Sequence, residues 1–137
     1  MKPFNQFISI IVLILLSAFV TYSQDSIEVV DRITDVDIDK NLIEGVETDN
    51  LGLKVSASYY LGERKSSRGV IPLMHVLHND ESPEARIIAA LSLFKIGDER
   101  GIFAVKRAIE FDKNEQVRNM CAIFYQMYLS EKSEKKE

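Results

Sequence analysis

The chain has 137 residues, 46% hydrophobic and 28% charged, with three prolines and six glycines. That composition belongs to a globular protein, not a disordered or fibrous one, and the length suffices for one modest domain with a core. A net charge of −4 gives no basis for nucleic-acid binding, and a single cysteine, Cys121, excludes an intramolecular disulfide framework.

Residues 1–23 have the layout of a secretory signal peptide. Lys2 supplies the positive start, and Phe7 to Val20 (FISIIVLILLSAFV) supplies a 14-residue apolar region. Thr21 and Ser23 are small enough for cleavage near Ser23/Gln24. The apolar run is short for a permanent anchor, which needs about 20 residues. The expectation is an exported, periplasmic or extracellular protein that meets a membrane only through this segment before cleavage.

Residues 24–39 form an acidic arm. From Gln24 to Asn50 nine acidic residues face only Arg32 and Lys40, a net of −7, whereas Leu51 to Leu129 carries nine acidic and eleven basic residues, a net of +2. The arm reads either as a solvated leader or as a segment that docks on basic residues of its own body or of a partner. Its isolated Ile27, Val29, Val30, Ile33, Val36 and Ile38 mix alternation with helical spacing, which leaves an extended arm and a weak helix both open.

Residues 40–129 repeat. Lys54, Arg86 and Arg118 fall at a constant interval, each preceded by an apolar residue (Leu53, Ala85, Val117). Ala57, Ala89 and Cys121 follow three later, and Leu61, Leu93 and Tyr125 seven later. Gly69 with Gly101, Leu73 with Val105, and Asp80 with Asp112 keep the same register. Such a period describes stacked supersecondary units, none able to bury its apolar face alone. Each unit reads as two helices. The first helices are expected near Lys40–Glu47, Arg68–His78 and Gly101–Phe111. The second are expected near Leu51–Gly62, Pro83–Ile96 and Glu115–Leu129, with Asn50, Ser82 and Asn114 as N-caps. The middle second helix, PEARIIAALSLFKI, is apolar almost all round and must be covered on every side. Gly97 closes it, and residues 130–137 (SEKSEKKE) read as a frayed, charged tail. The fold class is therefore all-α, a short solenoid of three helical hairpins.

The segments ARIIAALSLFKIGD (Ala85–Asp98) and QVRNMCA (Gln116–Ala122), with Leu53–Val70, resemble HEAT-like repeats of the short, phycobilisome-lyase type. Their pattern is a V-R pair, an alanine pair, then I-G-D. The resemblance spans about two thirds of the chain. It departs at Leu53-Lys54 and at the missing Gly-Asp turn of the first unit. It departs again at Tyr125-Gln126-Met127-Tyr128, where the repeats stop. It implies an armadillo-like superhelix whose second helices line the concave side, and a ladder in which each turn aspartate pairs with an arginine of its own or the adjacent unit.

Asp80, Arg86, Asp112 and Arg118 are expected to form that structural ladder, because catalysis needs one site whereas stacking needs every unit. His75 and His78 lie off the Val70-Leu73-Leu77 face and lack converging ligands, so no metal site is assigned. Cys121 falls in the column of Ala57 and Ala89 and reads as a core thiol. No catalytic or cofactor-binding residue is assigned. The aromatic residues read either as rings that fill the core and its ends or as a contact surface; on the second reading Tyr59, Tyr60, Phe124 and Tyr128, with Lys95, form the candidate partner surface. The expected function is a non-catalytic scaffold that binds another protein, with self-association through the C-terminal end as one such contact. The alternative is a lyase-like or chaperone-like accessory factor acting on a cofactor-bearing partner.

Overall fold

The computed structural model describes residues 37–134, so the signal-peptide reading, the arm up to residue 36 and the last three residues lie outside the described part. Every described element is helical: α1 (residues 37–46), α2 (Leu51–Glu63), a 3-10 turn (Ser67–Gly69), α3 (Val70–Asn79), α4 (Pro83–Ile96), α5 (Glu99–Phe111) and α6 (Glu115–Glu134). Two boundaries differ from the sequence expectation. Residues 37–39, assigned to the arm, are already helical, and Asp39 accepts from Arg64 Nε at 3.0 Å and Ser66 Oγ at 2.5 Å, tying α1 to the turn after α2. At the other end Ser130–Glu134, assigned to a tail, continues α6. Nothing there breaks the helix: Ser130 and Ser133 hydroxyls bond back to the Gln126 and Ser130 carbonyls.

The starts of the second helices follow from local capping. Asn50, Ser82 and Asn114 accept from the backbone N–H of Leu53, Ala85 and Val117, the same bond at the same register of each hairpin. Before each cap, a side-chain oxygen of Thr48, Asp80 or Asp112 accepts from the N–H two residues on and sets the turn. The stops are related too. Gly97 ends α4 with φ 74°, and Lys65, its counterpart in the preceding hairpin, takes the same left-handed conformation at φ 51°. The first unit therefore makes the turn without the glycine, at a conformational cost of about 1 kcal/mol.

Helix α4 is central. It packs on α2, α3, α5 and α6, and from Ala85 to Ile96 none of its residues is exposed. Ala89, Ala90 and Leu93 are fully buried. Its junctions with α2 and α6 use the same register with different side chains. Gly62 of α2 lies against Ser92 of α4. Phe94 of α4 stacks on Phe124 of α6, centroids 6.2 Å apart and planes at 11°. Leu61 packs over Gly69 as Leu93 packs over Gly101.

At the first junction there is no room for a side chain. A Cβ on Gly62 would stand 2.7 Å from the Ser92 Cα, a backbone atom that cannot step aside. Helix propensity favours alanine over glycine by about 1 kcal/mol. Gly62→Ala is nevertheless expected to destabilise by about 1–3 kcal/mol in thermal denaturation, because overpacking wins; a stabilised variant would mean that α2 and α4 do not approach this closely.

Candidate interaction surface

The charged ladder runs between successive hairpins. Lys54 of α2 donates to the Asp80 carboxylate at 2.5 Å, and Arg86 of α4 grips Asp112 with Nε and Nη2 at 2.9 and 3.0 Å. Each basic residue therefore reaches forward along the chain to the acid of the following turn. Arg86 also donates Nη1 back to the Asp80 and Glu81 carbonyls, and Arg118 repeats this to the Asp112 carbonyl at 2.8 Å. Arg118, on the last hairpin, has no following aspartate among the described residues. Thr48, on the first, sets its turn with a hydroxyl in place of the carboxylate, and among the described residues no cation reaches forward to it.

Burial would raise the Asp80 pKa, but the Lys54 ammonium, the Ser82 N–H and the Arg86 charge together hold it below the usual carboxylate value. Burial pushes the Cys121 thiol up to about 12, with the Asp112 charge adding to the effect. At neutral pH it is a protonated core thiol. His75 and His78 are exposed on α3, and the described residues contain no His/Cys/Asp/Glu group able to hold a metal ion.

The aromatic residues separate into two environments. Tyr59 and Tyr60 are exposed and meet edge to face at 5.7 Å. Lys95 reaches across from α4, placing Nζ 4.6 Å from the Tyr59 ring centre and pairing with Glu63. The hydrogen bond to Lys95 lowers the Glu63 pKa, and the same bond raises that of Lys95. Thus Tyr59, Tyr60 and Lys95 share one surface on α2 and α4. Phe124 does not join it. Only 6% exposed, it is stacked on Phe94, because its register faces the preceding hairpin as Ser92 does. Tyr128 is half-buried beneath Lys132, whose Nζ lies 5.6 Å from its ring centre.

That register explains the exposure at the other end. Leu53 and Tyr60 are 53% and 56% exposed, while Ala85 and Ser92, and then Val117 and Phe124, are buried against the hairpin before them. The α2 positions have the inward-facing register without a described neighbour to cover them.

Two grooves on the α1–α3–α5 side escaped sequence reasoning. One, of about 450 Å³ between α3 and α5, is bordered by Met74, Phe103, Phe111, Arg107 and Lys113. The other, of about 590 Å³ between α1 and α3, is bordered by Ile71, Pro72, Glu47, Asp49 and Glu81. Phe103 and Phe111 are 62% and 71% exposed. The available signal was their position off the Ile102-Val105-Ile109 stripe that buries α5.

The described residues are all-helical, packed as hairpins with exposed apolar surfaces, and among them no helix is long and apolar enough to cross a membrane. No protein-family model matches the chain, and no curated protein is significantly similar to it.

Proposed function

We propose that this is an exported, non-catalytic binding module: a short HEAT-like solenoid of three hairpins that holds another protein on its α2 end and the adjoining second-helix surface. The observation that supports it is the exposure of Leu53 and Tyr60 in a register that is buried in both later hairpins. Monomeric proteins keep such apolar surface covered unless something binds there. Tyr60, Tyr59 and Lys95 supply an amphipathic rim with rings able to stack and a cation held in place, the kind of side chains that dominate interface energetics. The regular recurrence of caps, rungs and interhelical junctions supports the solenoid, since each hairpin repeats the contacts of the one before.

The test is capture of a partner from the exported fraction by wild-type protein and by Tyr60→Ser. Specific capture that falls about tenfold or more with Tyr60→Ser, at unchanged thermal stability, supports the reading. Capture that is absent, or indifferent to Tyr60, Tyr59 and Leu53 together, removes it.

A further inference from the structure

The groove between α3 and α5 contains no residue of α2, so it is separate from the Tyr60 surface. Its lining is apolar and roomy because α5 presents Ala104 and Ala108 where the preceding hairpin has Pro72 and Val76. Phe103, Arg107 and Phe111 form one lip. They are spaced by four residues and so follow one another on a single face of α5 at steps of about 6 Å. With Phe103 and Phe111 at 62% and 71% exposure, the groove is open along that lip. The Arg107 guanidinium stands 5.4 Å from the Phe111 ring centre, and Lys113 follows at the end of the groove. Arg107 and Lys113 are exposed, and neither is in an ion pair among the described residues. The carboxylates that border the groove, Asp80 and Asp112, are already engaged by Lys54 and Arg86. The repeat alone does not produce this chemistry: the equivalent positions of the neighbouring groove are Ile71, His75, Asn79 and Glu81.

We propose that the α3–α5 groove docks an acidic segment of another protein in extended form, with one carboxylate at Arg107, a second at Lys113, and apolar side chains against Phe103 and Phe111. Charge complementarity selects the acid, since two unpaired cations flank the rings. The rings select the apolar side chains, because exposed aromatic surface of this extent is stabilised by being covered. Spacing selects the extended form. Alternate residues of an extended chain project to the same side about 6.6 Å apart, close to the step from Phe103 to Arg107 to Phe111. The partner's pattern is therefore apolar, acidic, apolar at alternate positions, with a second acid beyond. Helices of 10 and 13 residues make a groove roughly 15–20 Å long, room for about five or six extended residues. A small carboxylic acid would leave most of the open lip uncovered. A long polyanion such as nucleic acid would run on to Glu47, Asp49 and Glu81, which line the adjoining groove and repel it.

Selection of a random peptide library displayed on phage against the purified protein tests this without a partner in hand. The enriched peptides are expected to carry Asp or Glu between two apolar residues at alternate positions. Synthetic copies with a fluorescent label are then titrated by anisotropy. Arg107→Glu and Lys113→Glu are each expected to weaken binding about tenfold, and Phe103→Ser about fivefold or more. Thermal unfolding should be unchanged in all three variants, since the side chains are exposed. Glu81→Gln, at the position equivalent to Lys113, is expected not to weaken binding. Raising the salt to about 0.5 M is expected to weaken it, because exposed charges are screened. Absence of binders, binders without acidic enrichment, or affinities indifferent to Arg107, Lys113 and Phe103 would overturn the proposal. Peptides lost with Tyr60→Ser but retained by Phe103→Ser would place the acidic segment on the α2 surface and overturn the groove alone.

Discussion

Replacing Arg86 by alanine is expected to cost about 3–5 kcal/mol and lower the midpoint of thermal unfolding by roughly 15–30 °C. The guanidinium is only 2% exposed and serves three groups: the Asp112 carboxylate through two hydrogen bonds, and the carbonyls of Asp80 and Glu81. Alanine removes all of these at once. It leaves Asp112, itself 7% exposed, as a buried charge without a counterion. The large cost comes from that stranded carboxylate, because ion pairs in such places contribute little net attraction beyond the desolvation they offset. Arg86→Met with Asp112→Leu should therefore recover much of the loss. Recovery should stay incomplete, since the two carbonyls still lack their donor. The surface pair Lys95–Glu63 is the control: Glu63 is exposed and Lys95 only partly buried, and breaking the pair with Glu63→Gln should leave unfolding unchanged within error. Chemical denaturation of the wild type and the three variants checks the series, and a loss from Arg86→Ala no larger than that of Glu63→Gln would mean the ladder is not buried.

Ala90→Asp is expected to prevent folding altogether. Ala90 has no exposed surface and sits in the part of α4 enclosed by neighbouring helices. The new carboxylate would have neither water nor a cation to meet there. Burying it ionised costs several kcal/mol, and burying it protonated still leaves an unpaired hydroxyl and an overfilled site. That is comparable to the whole stability of a domain this size, about 5–15 kcal/mol. Circular dichroism should show loss of helix in the variant, whereas Glu84→Asp, at an exposed position in the first turn of the same helix, should leave the spectrum as it is.

The parts of the structure that were legible in the sequence are those set by chemistry within a few residues. Ser82, Pro83 and Gly97 delimit α4 as written, because capping and the left-handed stop are decided locally. The repeat register also carried the equivalences that later appear as repeated bonds. What it could not carry was direction between hairpins. Asp80 and Arg86 are close in the chain, yet the Arg86 side chain bonds to the carboxylate of Asp112 in the next turn, and touches only the backbone of Asp80. The same limit misplaced Phe124, whose burial depends on which side of α6 faces α4. Lys65 hid its kinship with Gly97, since the turn is made there without the residue that signals it. Phe103 and Phe111 were overlooked for the opposite reason: an amphipathic stripe identifies what a helix buries, and says nothing of what the other face gathers from the next helix.

Native-state hydrogen exchange of the full chain tests most directly the claim that the middle hairpin is held by those on either side. The amides of Ala89, Ala90 and Leu93 in α4 are expected to exchange only through global unfolding. Their opening free energy should equal that from denaturant titration, while the ends of α1 and α6 open more easily. Exchange of the α4 amides at lower free energy than those of α2 and α6 would contradict the enclosed central helix on which both proposals stand.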